Sequence, residues 1–315
     1  MAVKFIMLCD EGDLEGVQAA LQNGVDVNSK DLSFGQTGLM MALRQGHTAV
    51  VNLLLGQEGI DVNISDCLDQ TALHQAAQDG QNSECLSLLL ARGDLTASVN
   101  QKDWAGQTPL LLAVECNATI CVQLLISDKR IDPNIKDDRM GITPLMLAVK
   151  SNHVDCVKLL ISDNRTNLNS DSPLMLAVEM NHVECLQPLL SDNRIDPNIK
   201  SGCGGSTLML AVERNRVDCL KLLLSDKRTD PNIKDDYSRN LSLMNAVRMN
   251  HVNCVKLLMS CKRTHPNIKD DDGNSPLMLA VKWNYVGCME LLLGDPRVDL
   301  MTRDNYERTG EEAAR

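Results

Sequence analysis

Aromatic side chains are scarce in this chain of 315 residues: two Phe, three Tyr and two Trp, 2% of the total. With so few rings, the place of each one is informative. No apolar run approaches the length needed to cross a bilayer, so no membrane role is expected. An export signal is also missing. Ala2 to Cys9 is apolar apart from Lys4, but it is short and runs straight into Asp10-Glu11-Gly12-Asp13. Positive charge is in deficit, with 31 Lys and Arg against 42 Asp and Glu and a net charge of −11. That argues against nucleic acid as the ligand, because phosphate binding needs a basic surface. There is no nucleophile elbow, no phosphate-binding glycine loop and no Cys-x-x-Cys pair. The sequence therefore predicts a protein that is not an enzyme and needs no cofactor or metal.

Cysteine, by contrast, is plentiful, with 12 residues. Disulfide scaffolds are short and secreted, and nothing here directs export. A reducing compartment is expected, the cytoplasm first and the nucleus as the alternative.

What the chain does contain is a repeated phrase. Thr108-Pro109-Leu110-Leu111-Leu112-Ala113 returns at Thr143-Pro144-Leu145-Met146-Leu147-Ala148, at Ser172 to Ala177 and at Ser275 to Ala280. The Ala marks a phase through Ala42, Ala76, Ala113, Ala148, Ala177, Ala211, Ala246, Ala280 and Ala314, in steps of 34, 37, 35, 29, 34, 35, 34 and 34 residues. A period in the low thirties predicts a solenoid, an architecture used mostly as a binding surface. Two domains would be usual for this length, but the repeat predicts one all-α array over 1–315. Its units are approximately 1–33, 34–66, 67–103, 104–138, 139–168, 169–201, 202–236, 237–270 and 271–304, with a half-unit at 305–315.

Within one unit the local signals agree. Thr143 is a helix N-cap and Pro144 suits the first helical position. Leu145, Leu147, Ala148 and Val149 make a short apolar helix. Asn152 ends it, since Asn tolerates the left-handed conformation of a helix C-terminus. The same slot holds Gly12, Gly46 and Gly80, then Asn117, Asn181, Asn215, Asn250 and Asn284. Val154, Val157, Leu159, Leu160 and Ile161 give a second helix. An extended polar turn such as Ile131 to Asp137 leads to the next unit.

These residues resemble the ankyrin repeat, whose pattern Gly-x-Thr-Pro-Leu-His-x-Ala-Ala-x-x-Gly is best matched at Gln70 to Gly80; Gly24-Val25-Asp26-Val27-Asn28 also fits. The resemblance covers essentially the whole chain. It implies stacked helix-turn-helix units and a protein partner held on the concave face. It also implies that turn asparagines such as Asn134, Asn198 and Asn232 occupy a slot that is a hydroxylation substrate in the family. One departure recurs. The family's His survives only at His74, and Met40, Met146, Met175, Met209, Met244 and Met278 take its place. Apolar Met packing is expected there instead of polar Thr–His bonding.

Two columns invite a chemical reading. His-x-x-Cys occurs at His153/Cys156, His182/Cys185 and His251/Cys254, a spacing that puts both side chains on one helix face. Yet Cys121, Cys219 and Cys288 fill the Cys slot without a His, so buried packing is expected rather than a metal or thiolate site. Disulfides along the column are not expected, since packed helices sit roughly 8–10 Å apart. The second column is Arg130, Arg165, Arg194, Arg228, Arg263 and Arg297, with Asp two residues earlier in five of those units. A solvated structural face and an acidic-ligand patch both remain open.

Partner contacts in the family come from the loop tip and from the residues before the end of the first helix. By phase, Trp104 and Tyr237 hold the first tip slot, Phe34 and Tyr306 the second, and Trp283 the slot before Asn284. Arg139, Met140, Met180, Arg214, Arg248, Met249 and Lys282 hold matching slots. Aromatics, Met and Arg are the types enriched at binding hot spots. These twelve are the candidate partner-binding residues, with the cluster Tyr237, Arg248, Met249, Lys282 and Trp283 foremost. A protein-binding adaptor, scaffold or inhibitor, acting as a monomer, is the leading expectation. The alternative is the repeat region of a larger regulatory or effector protein. The short 29-residue step, followed by Pro188 inside a second helix, predicts a weak or bent joint near 162–190.

Overall fold

The computed structural model describes residues 1–305 apart from 79, 81, 82, 96, 97, 170, 171, 203 and 237–240. The expected half-unit at 305–315 lies almost wholly outside them. The described residues form eighteen helices and no strand. They fall into two compact units, Met1–Asn167 and Leu168–Arg315.

The first unit holds five helix pairs: α1 (Ala2–Glu11) with α2 (Leu14–Gln22), α3 (Gly38–Gln45) with α4 (Thr48–Leu55), α5 (Ala72–Ala77) with α6 (Ser83–Leu90), α7 (Pro109–Glu115) with α8 (Thr119–Ser127), and α9 (Pro144–Lys150) with α10 (Val154–Ser162). The second holds four: α11 (Pro173–Met180) with α12 (Val183–Ser191), α13 (Thr207–Glu213) with α14 (Val217–Ser225), α15 (Ser242–Arg248) with α16 (Val252–Ser260), and α17 (Pro276–Lys282) with α18 (Val286–Leu293). In each unit first helices pack on first helices and second helices on second helices. The core is thus a ribbon between neighbours.

The sequence signals translate into backbone geometry. Thr143 accepts the Met146 N–H at 3.3 Å, and Pro144 opens α9 where an N–H has no partner to lose. At the other end, Asn152 sits at φ +56, its N–H donates to Val149, and the His153 N–H donates to Ala148. This pair of bonds is the Schellman arrangement, and it consumes two carbonyls that a helix end leaves open. The same geometry recurs at Asn117, Asn181, Asn215, Asn250 and Asn284, with φ between +51 and +61, and at Gly46; at Gly12, also left-handed, the N–H groups of Gly12 and Asp13 both donate to Leu8. Gly80 is flanked by residues outside the described set. The phase-marking Ala is therefore the residue whose carbonyl closes the helix. From Ala42 to Ala280 it is also fully buried, where a larger side chain would force neighbouring helices apart.

The shortened segment leaves its mark at Ser172, which caps α11 from φ +49 with its hydroxyl 3.2 Å from the Met175 N–H. That is an unusual conformation for a residue with a Cβ. Further on, α12 runs through Pro188 to Ser191 without a break.

Methionine does more than pack. The Met40 and Met278 sulfurs accept the backbone N–H of Thr37 and Ser275 at 3.5 and 3.3 Å. They imitate, within one unit, what the imidazole of His74 does for Thr71 at 3.1 Å. The expectation of purely apolar packing is corrected to this extent. What Met cannot supply is the second contact, His74 Nε2 to the Gln107 carbonyl of the following repeat at 3.2 Å.

Candidate protein-interaction surface

The two chemical columns are structural, each in a specific way. His153 and Cys156 turn to different partners. His153 Nδ1 lies 2.9 Å from the Val114 carbonyl at the end of α7, so Nδ1 carries the proton and donates. His251 does the same to Val212 at 2.8 Å, and Arg216 to Glu179 at 3.0 Å. The thiols donate to the asparagines of the preceding repeat: Cys156 to Asn117, Cys254 to Asn215 and Cys288 to Asn250, each at 3.4 Å, and Cys219 to Asn181 at 3.6 Å. Burial pushes the thiols of Cys156, Cys185 and Cys254 up to about 11 and that of Cys9 to about 12. They stay protonated at neutral pH and unfit for thiolate chemistry. The described cysteines are free, and no group of His, Cys, Asp and Glu among the described residues is placed to hold a metal ion.

The arginine column also serves the stack. Arg130 pairs with Asp128 at 2.6 Å and donates to the carbonyls of Leu90, Arg92 and Leu95 at 2.6, 2.9 and 3.2 Å, so it caps the end of α6. Arg228 pairs with Asp226 at 2.7 Å and reaches Leu190 and Ile195 at 2.5 and 3.0 Å. Arg165 and Arg297 repeat the pattern on Ile126 and Met259, both at 2.5 Å. A cation at a helix C-terminus is favoured by the dipole and satisfies the open carbonyls. The guanidinium beside each carboxyl holds Asp128, Asp192, Asp226 and Asp295 below the ordinary aspartate range. Arg263 has Cys261 where its fellows have Asp, and it is held by the carbonyls of Leu224 and Asp226 at 2.9 and 3.1 Å.

With these columns engaged, the exposed apolar residues stand out. In the first unit some lie on the first pair of helices (Val3, Met7, Leu14) and on α8 (Ile120), and others on the loop tips. Phe34 is 58% exposed, Trp104 63% and Met140 52%. Tight turns present them. The Asp31 carboxylate collects the N–H groups of Ser33, Phe34, Gly35 and Gln36 at 2.6 to 3.2 Å. The Asp103 carboxylate does so for Ala105 and Gln107, both at 2.9 Å. Gly106, at φ +76, lets the next tip approach: a Cβ there would sit 2.3 Å from that of Asp138. The Arg139 guanidinium lies over the Trp104 ring, 5.2 Å from its centroid. Lys150 Nζ lies 2.9 Å from the Met140 sulfur. Three predicted residues, Trp104, Arg139 and Met140, thus form one cluster.

In the second unit Val286 and Leu293 of α18 and Leu300 and Met301 beyond it are exposed, and three further residues lie at the ends of the first helices. Met180 is 43% exposed, Met249 48% and Trp283 39%. Each directly precedes a left-handed Asn, so its side chain leaves the helix at the cap. Arg214 pairs with Glu179 at 3.3 Å, and Arg248 with the buried carboxylate of Asp270 at 3.0 Å. Trp283 packs against Tyr285 with ring centroids 5.8 Å apart. Lys282 is exposed beside it. Tyr237 and Tyr306 lie outside the described residues. Leu32 and Leu68, 92% and 41% exposed on the first two tips, escape a reading restricted to aromatic, Met and Arg residues. Their tip register was the available signal.

Stacked helix pairs joined by polar turns, with columns of polar side chains bonded from one repeat to the next, define a repeat protein. The family described as ankyrin repeats (3 copies) matches residues 5–103, 58–137, 110–201 and 205–304, and the chain belongs to it. It is 33% identical over 124 residues to ankyrin repeat domain-containing protein 37 of Xenopus tropicalis, covering 39% of this chain and 72% of that protein. It is 32% identical over 112 residues to the putative ankyrin repeat protein FPV031 of fowlpox virus (strain NVSL), 35% of this chain and 33% of that one. With inversin of Gallus gallus the figures are 35% over 115 residues, 36% of this chain and 10% of inversin. The chain therefore spans most of the first relative's length, a third of the second and a tenth of the third. Ankyrin repeats are generally non-catalytic protein-interaction modules. No described helix is long and apolar enough to cross a membrane.

Proposed function

We propose that this chain is a non-enzymatic interaction module that binds a protein partner through its loop tips and first-helix ends, acting as an adaptor, scaffold or inhibitor. The observation that carries this reading is the contrast between columns. The His, Cys, Asn and Arg columns spend their hydrogen bonds on neighbouring repeats. Phe34, Trp104, Met140, Met180, Met249 and Trp283 are left large, apolar and exposed on slots the stack does not use. The acidic balance of −11 disfavours nucleic acid. The free cysteines suit a reducing compartment, the cytoplasm or nucleus, and the module acts as a monomer. A bona fide partner should bind Trp283→Ala and Trp104→Ala more weakly, at least one of them by about 2 kcal/mol, the loss of a hot-spot aromatic. Unchanged affinity for both variants by calorimetry contradicts the assignment.

A second reading is supported by the share of inversin that is matched, 10% of its length. The chain would then be the recognition region of a larger regulatory or effector protein. Transcript sequence flanking codons 1 and 315 decides between the two.

A further inference from the structure

We propose that the loop tips of the first unit take a linear peptide with apolar side chains at every third position and carboxylates beside the one that meets Trp104. This deepens the interaction reading above and rests on it.

Register is the first ground. The Cys67 N–H donates to the Phe34 carbonyl at 2.8 Å, and the Trp104 N–H to the Leu68 carbonyl at 3.0 Å. These bonds fix the first three tips to one another, and Lys102 of the third reaches Asp138 of the fourth at 2.5 Å. Phe34, Leu68, Trp104 and Met140 then give every one of the four tips an exposed apolar side chain, with Leu32 beside Phe34 on the first. Packed helices set the step between tips at roughly 8–10 Å. An extended chain rises about 3.3 Å per residue, so every third residue of a peptide laid along the tips meets the next anchor. A ridge one or two side chains wide suits a strand better than the flat face of a folded domain.

Charge is the second ground. The chain is strongly acidic, yet the far end of this ridge is not. Among the described residues neither Arg139 nor Lys150 has a carboxylate partner; Arg139 lies over Trp104, and Lys150 reaches the Met140 sulfur. The nearest acids in sequence are occupied. Asp137 accepts the N–H groups of Met140 and Ile142 at 3.2 and 2.8 Å, and Asp138 holds Lys102 at 2.5 Å. One cation therefore lies on the exposed indole and a second on the neighbouring Met140, neither with an acid of its own among the described residues. A peptide carboxylate would take a charge-assisted bond from Arg139 while its apolar neighbour covers the ring. Asp69, exposed on the second tip, opposes a continuous polyanion.

The test uses the full chain carrying Trp283→Phe, which leaves Trp104 as its single indole. Two short synthetic peptides are titrated, each with leucine at every third position, one with glutamates between and the other with lysines. The glutamate peptide should shift Trp104 emission saturably and bind roughly tenfold or more tighter than the lysine peptide, a difference of about 1.4 kcal/mol. Replacing Arg139→Glu and Lys150→Glu together should reverse that order. Equal affinity for both peptides, an order unchanged by the charge reversal, or no binding overturns the inference. Glutamate-peptide binding that survives Trp104→Ala also overturns it, while leaving the broader interaction reading to be judged on the intact partner.

Discussion

The thiol of Cys254 donates to the side-chain carbonyl of Asn215, 3.4 Å away and 39 residues earlier. Asn215 itself holds φ +51 at the end of α13. One residue thus meets two demands: a left-handed backbone, and an acceptor for the next repeat. Substitution separates them. Asn215→Gly keeps the backbone and loses the acceptor, whereas Asn215→Ala loses both. The Ala variant should be destabilised by about 1–2 kcal/mol more than the Gly variant, the cost of a Cβ in that conformation. Equilibrium urea unfolding checks this. Equal midpoints for the two variants would show that the conformation is not limiting.

Much of this arrangement was legible beforehand, and the reason is local. Thr143, Pro144 and Asn152 act on their own backbone, so their types announce the helix ends. The partners of Cys254 and Arg228 were not legible, because they lie in the preceding repeat and depend on how repeats stack. The cysteine and asparagine columns recur in phase, and that co-occurrence was the available hint. The arginine column looked solvated because its Asp neighbours were visible in sequence and its carbonyl partners were not. Arg139 over Trp104 was likewise hidden, since it joins two tips. Leu68 was passed over on residue type alone.

His74 gives the stack a pH dependence that its Met counterparts do not share. Burial holds its imidazole below the usual 6.5, and Nδ1 must stay unprotonated to accept from the Thr71 N–H. The unfolded chain takes up a proton near the ordinary value while the folded one resists. The contribution of His74 is therefore complete above 6.5 and is lost as pH falls through that range. His74→Met should cost stability at neutral pH, because the bond to the Gln107 carbonyl goes, and should flatten the decline between about pH 8 and pH 5. Thermal unfolding across that window measures both. An unchanged slope in the variant would place the titrating group elsewhere.

We propose that partners are met by loop tips and first-helix ends. Footprinting of the complex by covalent surface labelling, with the partner recovered by affinity capture, tests it most directly. Phe34, Trp104 and Met140, or Met180, Met249 and Trp283, should be protected, with Gln123, Lys158, Lys221 and Lys256 on the second helices labelled as in the free chain. Protection of those second-helix residues, with the tips and first-helix ends still labelled, would contradict it.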